Sequence, residues 1–593
     1  MCVLAPCWLK GQVVLQGRVM DADNGTPLSF ATVTAGENST LSNQDGAFIL
    51  QLNHFAGFVY ASYIGYRTDS VSCRAVPLEI KLYKLPQALP DVQVKATEDE
   101  TPYIIMTRLL RSFQKKTHIT LGSRAFFRTY TELDSSKPAE YMVGYYNALS
   151  SPAGLAEAEL KDAWMVLPKD AGVLDMASLD LLNAFHPFSN ENQEDALLHV
   201  MGNSRQDIED RYPFPYSPLA ITDKNLLKKT YRLQMEYQIP EAGDSLVHLL
   251  FSAIDTVNTF SGELYFHSRT LQLDKVILYC NPTDSYSYFV DNGYIMESVF
   301  DSATAPIRYV KYRVELGFET VHDTTRLRSE IMDLYYPLYE QYHAHTSLKL
   351  FLYDFHSPFT LPIYHAGSWK NDLQRIVFFP YNPYFFAHNQ QIAEDQAEKK
   401  LQQQFNAIPC FDSRLPHSSL SLVPGHMTPW SAGWSPNPKL LSKIPLPGSR
   451  FRINHYVSDK KKAAWDSSFA STLIYLDYDC YADTTVFLST ALLDYDQSYA
   501  LRDDSMTLGY LHLYLDMARL ESDFLLLQAR KQFGHHCPGK LEISRLYDLI
   551  NGANEQDTYN LFCNSNSGQR TIFYPKIRAL VASRLAELEM AVH

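Results

Sequence analysis

Two pairs of closely spaced carboxylates are the groups in this sequence whose type and spacing could do chemistry. Asp477 and Asp479 are separated by one tyrosine, and Asp494 and Asp496 are separated in the same way. Alternate residues of a β-strand share one face, so either pair could bind Ca²⁺ or act as an acid and a base. The same spacing also occurs on exposed strand rims that have no chemical role. We favour this second interpretation for both pairs.

The histidines form two further groups. His343 and His345 lie on one side of a predicted strand and could share a metal ion, but no carboxylate or cysteine near them in the sequence completes a ligand set. His535, His536 and Cys537 follow a predicted helix directly. Adjacent histidines rarely face the same metal ion. We therefore expect these three to be incidental loop residues.

Common catalytic and cofactor motifs are absent from the sequence. It contains no HExxH, no GxSxG and no GxxxxGK[ST]. None of the eight cysteines belongs to a CxxC pair, so neither a structural zinc site nor a disulfide framework is predicted. We expect no catalytic residue, no metal and no cofactor, although an active site built from scattered residues would leave no such motif.

The composition is that of a large protein rich in β-structure. A chain of 593 residues exceeds the roughly 250–300 residues that one core supports. Its 46% hydrophobic and 20% charged residues are ordinary for a globular protein, and its 39 tyrosines favour strands. The net charge of −14, with only two short basic runs at Gln114–Lys116 and Lys460–Lys462, argues against nucleic-acid binding. No apolar run approaches the ~20 residues of a transmembrane helix, so we expect a soluble or peripherally attached chain.

The first residues are typical of the end of a secretory signal peptide. Met1–Trp8 is short, apolar and uncharged, and the first predicted strand starts at Gln12. A complete signal would also have a basic first region, which is missing here. We interpret residues 1–11 as a signal-peptide remnant and expect export across the inner membrane.

Residues 12–96 alternate short strands with polar turns. Asn24-Gly25 and Asp45-Gly46 supply the positive φ that tight turns need, and Pro27 cannot pair in a ladder. Short strands between such turns predict a β-sandwich. The residues of the pattern are Gly17-Arg18-Val19, Asp21, Gly25, Pro27-Leu28, Ala31-Thr32-Val33, Ser42-Asn43, Asp45-Gly46, Phe48, Ser62-Tyr63-Ile64-Gly65-Tyr66, Leu89 and Asp91-Val92.

This pattern resembles the carboxypeptidase-regulatory-like domain, a transthyretin-like Greek-key β-sandwich. The resemblance implies an accessory module that holds no zinc and has no peptidase chemistry. Such modules are common in envelope proteins of the Bacteroidetes, where they precede TonB-dependent receptors and many uncharacterised periplasmic proteins. The rest of the chain is only weakly similar to proteins that share the module. The resemblance therefore implies a location in the periplasm or outer membrane, and no activity.

Residues 97–375 are predicted as a helix followed by an antiparallel sheet. Tyr103–Phe113 has helical spacing of its apolar residues. From Tyr231 to Tyr339 the chain keeps returning to extended segments joined by short turns, so neighbouring strands must be antiparallel. We predict a half-barrel-like meander. Its concave face could bind a lipid or another hydrophobic ligand, or could be filled by its own side chains and helices, which is the interpretation we favour.

The last third is predicted as two regions. Residues 376–450 are an aromatic and proline-rich loop region with one helix at His388–Phe405, and residues 451–593 are mostly helical. Trp430 and Trp434 lie in the loop and suggest an anchoring contact with another surface. The predicted helices of the final region are Met506–Phe533, Leu541–Ile550 and Tyr574–Met590.

The sequence thus predicts a multi-domain, mainly β protein with an N-terminal sandwich, a central antiparallel meander and a C-terminal helical region. We expect a non-catalytic binding or assembly protein of the cell envelope. Its sandwich would dock to an envelope partner, and its curved sheet would hold a peptide, glycan or lipid. Two alternatives remain open: an envelope hydrolase with a scattered active site, and an accessory component of a TonB-dependent uptake system.

Overall fold

The computed structural model describes most of the chain, which divides into two compact units. The first unit comprises Met1–Glu159, Gly172–Pro358 and Pro383–Ile408, and the second comprises Leu160–Ala171, Phe359–Asn382 and Pro409–His593. The boundaries predicted near residues 96, 375 and 450 remain predictions. The described residues are 13–52, 57–74, 78–86, 100–116, 119–168, 219, 221–241, 244–254, 260–280, 286–287, 309–321, 324–338, 342–364, 375–376, 379–415, 431–433, 469–481, 484–499, 505–565 and 569–592.

Some of the sequence predictions fall outside these residues. They concern the signal-peptide remnant at residues 1–11, the end of the sandwich pattern at Leu89 and Asp91-Val92, the basic run Lys460–Lys462, and the loop tryptophans Trp430 and Trp434.

The N-terminal sandwich consists of two four-stranded sheets, ordered β4-β1-β8-β6 and β3-β2-β5-β7. Apolar side chains from both sheets, such as Val19, Phe48 and Val59, share one core. Gly46 turns the chain at φ +71°, and a Cβ there would lie 2.5 Å from the carbonyl oxygen of Val19. The strands are β1 (Val13–Asp21), β2 (Thr32–Ala35), β3 (Asn38–Leu41), β4 (Ala47–Leu52), β5 (Phe58–Ser62), β6 (Tyr66–Arg67), β7 (Asp69–Ser72) and β8 (Leu78–Lys84).

The first unit is built on one large meander sheet. Its strand order is β12-β13-β14-β15-β17-β18-β19-β9-β10-β11, with β16 paired to β17. From Leu160 onward, β11 belongs to the second unit. The elements are α1 (Thr101–Gln114), β9 (Leu121–Leu133), β10 (Lys137–Ser151), β11 (Gly154–Pro168), α2 (Lys224–Thr230), β12 (Tyr231–Glu241), β13 (Asp244–Ala253), β14 (Phe260–His267), β15 (Leu273–Cys280), β16 (Tyr286–Ser287), β17 (Tyr309–Val321), β18 (Thr324–Leu338), β19 (Tyr342–Tyr353), α3 (Pro383–His388) and α4 (Gln396–Phe405).

One side of this sheet, which we call the apolar face, is filled by the protein itself. The register aligns Leu264, Val276 and Val314 with further aliphatic and aromatic residues across the strands, and these residues are buried. Helix α1 packs on the same face, where the rings of Phe113 and Phe318 meet edge to face at 5.6 Å. This agrees with the interpretation that the protein's own side chains and helices occupy the apolar side of the meander.

The second unit combines a short sheet with a helical region. Strands β21, β23 and β22 pair in that order, and three long helices follow. The helices confirm the predicted helical end of the chain, but the long hairpin of β22 and β23 in front of them was not predicted. The elements are β20 (Cys410–Asp412), β21 (Ser431–Gly433), β22 (Phe469–Tyr481), β23 (Thr484–Tyr499), α5 (Ser505–Phe533), α6 (Lys540–Ser565) and α7 (Arg570–Val592).

A disulfide joins the hairpin to the helices and corrects one sequence prediction. Cys480, near the end of β22, is bonded to Cys537 in the loop between α5 and α6, with 5.3 Å between the Cα atoms. The two cysteines are 57 residues apart. The sequence offered no spacing motif for this pair. Among the described helices, none is long and apolar enough to cross a bilayer.

Candidate binding site on the large sheet

A buried charge cluster fastens helix α4 to the other side of the meander, which we call the polar face. Arg128 on β9 and Lys349 on β19 are direct neighbours in the register. Glu398 accepts hydrogen bonds from Arg128 Nη1 at 3.2 Å and from Lys349 Nζ at 2.6 Å, and Asp395 lies 2.7 Å from the same Nζ. Burial alone would lower the pKa of Arg128, but the Glu398 carboxylate raises it. We call these four residues the balanced cluster.

The same carboxylates explain where helix α4 begins. Asp395 is the N-cap residue and accepts a hydrogen bond from the backbone N–H of Glu398, whose side chain accepts from the N–H of Asp395. This capping box starts the helix at Gln396. The prediction of one helix from His388 was wrong, because α3 ends at His388 and the capped helix begins eight residues later.

The sandwich is fastened to the segment in front of α4. Asn43 and Asp45, two turn residues of the pattern that suggested an accessory module, and Gln51 on β4 bind this segment of the same chain. Part of the sandwich surface therefore serves as a support inside the first unit. The hydrogen bonds run from Asn43 Nδ2 to Glu394 O (3.0 Å), from Gln51 Nε2 to Ala387 O (2.9 Å), from Gln390 N to Gln51 Oε1 (2.9 Å) and from Gln396 N to Asp45 Oδ2 (2.8 Å).

An exposed aromatic residue, Tyr335, lies at one end of the polar face. The register places Tyr335 on β18 opposite His345 on β19, and His345 opposite Glu132 on β9. The tyrosine and histidine rings are stacked at 4.5 Å and 7°. His345 Nδ1 lies 3.5 Å from Glu132 Oε1, and Nε2 lies 3.2 Å from Asp333 Oδ1. Tyr335 is 51% exposed, and we call this stack the Tyr335 platform.

The platform brings two carboxylates that are distant in the sequence to one of the two histidines, although they do not form a metal site with it. Glu132 and Asp333 both reach His345, one at each ring nitrogen, which leaves neither nitrogen available to a metal ion. Burial lowers the pKa of His345, but the hydrogen bond and charge of Asp333, followed by those of Glu132, raise it overall. His343 is exposed and uses its backbone N–H to bind Asp134. Among the described residues, no group of His, Cys, Asp and Glu could hold a metal ion.

Charged side chains border the platform. Lys311 on β17 is directly opposite Tyr335, and Arg313 is opposite Asp333, so Arg313 occupies a register position diagonal to Tyr335. The Arg313 side chain is 44% exposed and donates from Nη2 to Glu315 at 3.1 Å. An exposed ring, a guanidinium and carboxylates together form a surface that can stack on a ligand and hydrogen-bond its edges.

The second unit contains a second buried charge cluster, and it corrects the exposed-rim interpretation of Asp477 and Asp479. Both carboxylates are buried, and Lys161 Nζ lies 2.5 Å from Asp477 and 3.0 Å from Asp479. Asn382 donates from Nδ2 to Asp477 at 3.0 Å and from its backbone N–H to Asp162 at 3.2 Å. We call Lys161 and the three aspartates the acid-rich cluster.

Burial and neighbouring charges together raise the pKa values of both Asp162 and Lys161 in the acid-rich cluster, which favours a neutral acid and a charged lysine. Burial, reinforced by the Asp477 carboxylate, raises the pKa of Asp162 well above its usual range. Burial lowers the pKa of Lys161, but Asp477 and Asp479 raise it overall. Burial and the neighbouring charges thus favour the protonated form of Asp162 and the charged form of Lys161.

A small cavity adjoins the acid-rich cluster. Its wall includes Lys161, Asp162, Arg375 and Tyr475. The volume within which the centre of a water molecule can lie is about 10 Å³. That is room for roughly one water molecule. The cavity can hold water against the acidic group but cannot admit a peptide or a sugar, so we assign it no substrate.

A third buried acid lies on the apolar face of the first unit. Glu330 is 1% exposed, and burial raises its pKa to about 8. Within the described part of the chain, its Oε1 has no hydrogen-bond partner. The group is therefore held as a neutral acid among apolar side chains.

The remaining sequence candidates stay outside the site. His535 and His536 are exposed after helix α5, as expected of loop residues, while Cys537 forms the disulfide. Asp494 lies on β23 and pairs through its backbone with Ser471, and the side chains of Asp494 and Asp496 lie outside the description.

Comparisons with known proteins give little further information. No protein-family model matches the chain, and no curated protein matches it. A solved structure of a putative membrane-associated protein of unknown function from Bacteroides fragilis NCTC 9343 aligns at 10% identity, over 57% of this chain and 97% of that one. The TM-score is 0.10, which is too low to support a common fold.

Proposed function

We propose that the chain is a non-catalytic binding or assembly protein of a bacterial cell envelope, and that it binds its ligand at the Tyr335 platform. The observation that carries this proposal is a half-exposed tyrosine ring that is stacked on a histidine fixed by two carboxylates. A ring held in this way loses little conformational entropy when a ligand stacks on it.

The two faces of the sheet support this choice of site. The apolar face is occupied by α1 and by buried side chains, so a lipid would have to displace the core. The polar face carries the sandwich and α4 at one part, and the exposed platform at another. The sandwich then acts as a support that holds the sheet in shape.

The disulfide supports the envelope location. Disulfides persist in the periplasm and other oxidising compartments and are rare in the cytosol. The resemblance of the sandwich to the carboxypeptidase-regulatory-like domain agrees with that compartment. Peptide mass spectrometry of the protein from its native cells should find Cys480 and Cys537 linked, and two free thiols at these positions would contradict the proposed location.

The binding proposal is tested by what the protein retains when it is purified from native envelopes. Wild type should carry a bound compound that Tyr335→Ala lacks. Tyr60→Ala is a matched control, because Tyr60 on the sandwich strand β5 is 49% exposed. Equal retention by all three proteins would refute binding at the platform.

The two alternative functions predict other results in the same preparation. Steady turnover of a peptide or glycan library by the pure protein would support an envelope hydrolase. Co-purification of an outer-membrane receptor would support a component of a TonB-dependent uptake system.

A further inference from the structure

We propose that the disulfide between Cys480 and Cys537 is a reversible exchange site that accepts an electron pair from a dithiol. The proposal concerns the second unit alone and does not depend on ligand binding at the Tyr335 platform. The geometry that leads to it is an exposed disulfide whose two ends are also held together by hydrogen bonds.

Both cysteines of this disulfide are exposed residues. Cys480 lies near the end of β22, directly after a buried stretch of that strand, and Cys537 lies in the loop after α5. Cysteine is among the most frequently buried residue types, as Cys73 in the sandwich core illustrates with 4% exposure. Exchange requires that an attacking thiolate reach a sulfur, so exposed disulfides are the labile ones. A dithiol in solvent can therefore approach this bond while the chain stays folded.

Hydrogen bonds hold the two ends together independently of the disulfide. Cys480 on β22 is the direct ladder partner of Thr485 on β23. Thr485 donates from its backbone N–H to Gly534 O at 3.3 Å and from Oγ1 to His536 O at 2.9 Å. Because His536 is the neighbour of Cys537, these bonds keep the loop beside the hairpin. The two thiols of the reduced form therefore stay close enough to pair again.

The strand that carries Cys480 is also anchored within the second unit. Asp479, the preceding residue, lies 3.0 Å from Lys161 Nζ. Farther along the same strand, Ile474 O accepts a hydrogen bond from the hydroxyl of Tyr547 on α6 at 2.8 Å, and both residues belong to a core that the hairpin shares with the helices. Opening the disulfide therefore frees two thiols without releasing the hairpin from the helices.

The exchange takes place in two steps. A thiolate of the dithiol attacks one sulfur, the bond between Cys480 and Cys537 breaks, and the departing cysteine leaves as a thiolate that takes a proton from water. The second thiolate of the dithiol then attacks the mixed disulfide and releases the other cysteine. The dithiol is oxidised to a disulfide, and this chain gains both thiols. In an oxidising envelope the linked form is the resting state, and a disulfide oxidant restores it.

The proposal is tested by treating the folded full-length protein with dithiothreitol. Free thiols are trapped with iodoacetamide and located by peptide mass spectrometry. The bond should open at a rate proportional to the dithiothreitol concentration, and the circular dichroism spectrum of the folded protein should be retained. After the reductant is removed, oxidised glutathione should restore the link between Cys480 and Cys537 without any denaturant.

A pair of variants on β23 tests the role of the hydrogen bonds. Thr485→Val should slow the return of the disulfide roughly fivefold, as expected for the loss of one hydrogen bond that keeps the thiols together. Ser489→Ala is the matched control, because it removes a hydrogen bond to Ser522 on α5 instead, and it should re-form the disulfide at the wild-type rate. Equal rates for both variants would refute the role of Thr485 in holding the two thiols.

Two results would overturn the exchange site itself. An opening rate that does not depend on dithiothreitol concentration, and that rises with added urea, would mean that the sulfurs become accessible only when the chain unfolds. Loss of the folded circular dichroism spectrum on reduction would mean that the bond is a structural cross-link whose opening is not reversible in the folded protein.

Discussion

The two buried charge clusters both pair basic with acidic side chains, but in different proportions. The balanced cluster of the first unit sets Arg128 and Lys349 against Asp395 and Glu398. The acid-rich cluster of the second unit sets Lys161 against three aspartates. The first matches two basic side chains with two acidic ones and fastens a capped helix. In the second, burial raises the pKa of Asp162 well above its usual range, so the stability of this cluster depends on pH.

Removing the lysine of the acid-rich cluster should have the largest effect. Lys161→Met leaves Asp477 and Asp479 buried without their cation, and breaking a buried pair in this way costs about 3–5 kcal/mol. Urea unfolding followed by the signals of the second unit should show this loss. Lys161→Met combined with Asp477→Asn and Asp479→Asn should regain most of it. If the single variant is as stable as wild type, the cluster is not a buried ion pair.

The matching change in the balanced cluster should cost less. In Lys349→Met, Glu398 keeps Arg128 at 3.2 Å, so we expect a loss of about 3 kcal/mol, at the low end for a broken buried pair. Denaturant unfolding of the first unit measures it. A larger loss than that of Lys161→Met would reverse the proposed order of the two clusters.

The next largest effect is the pH dependence of stability, which we expect from Asp162 of the acid-rich cluster. An unfolded aspartate ionises near its ordinary pKa of 3.8, whereas folded Asp162 keeps its proton to higher pH. The unfolded state thus binds fewer protons, and stability falls as pH rises above about 4, by at most about 1.4 kcal/mol per pH unit. Asp162→Asn, which can still accept the hydrogen bond from Asn382, should remove this slope.

Glu330 in the first unit also makes stability fall as pH rises, so the test of Asp162 needs a control. Its pKa of about 8 lowers stability as pH rises from roughly 4.5 to 8. The Asp162→Asn comparison is therefore made in a Glu330→Gln background. If stability falls with pH as steeply in the protein with both acids replaced as in wild type, neither acid is buried as a neutral group.

His345 should give the smallest effect, because its ion pairs are partly exposed. Its raised pKa means that the imidazolium stabilises the fold at low pH and that this stabilisation is lost as pH rises through the folded pKa. The partial exposure limits the contribution to about 1 kcal/mol or less. An NMR titration should place the pKa of His345 above 6.5. A value below 6.5 would mean that Glu132 and Asp333 do not hold the ring.

The sequence predicted what local patterns control. The turns at Gly25 and Gly46 and the alternating strands around them indicated the sandwich, and the apolar stripe of Met506–Phe533 indicated α5 to within one residue of its observed bounds. The capping box from Asp395 to Glu398 was also readable in the sequence and would have corrected the start of α4.

Long-range pairings could not be predicted in this way. Lys161 and Asp477 are 316 residues apart, and His345 and Glu132 are 213 apart, so no spacing rule connects them. One signal was available for the buried aspartates. Asp477 follows Ile474-Tyr475-Leu476, an apolar run on both strand faces that is more typical of a covered strand than of an exposed rim.

The central claim, ligand binding at the Tyr335 platform, is tested most directly by oxidative footprinting. The modification rate of Tyr335 is compared between purified protein and the protein in native envelopes, with Tyr60 as the internal reference. We expect Tyr335 to react readily when purified and to be protected, relative to Tyr60, in the envelope. An unchanged ratio of the two rates would contradict the claim that this ring is where the protein binds its ligand.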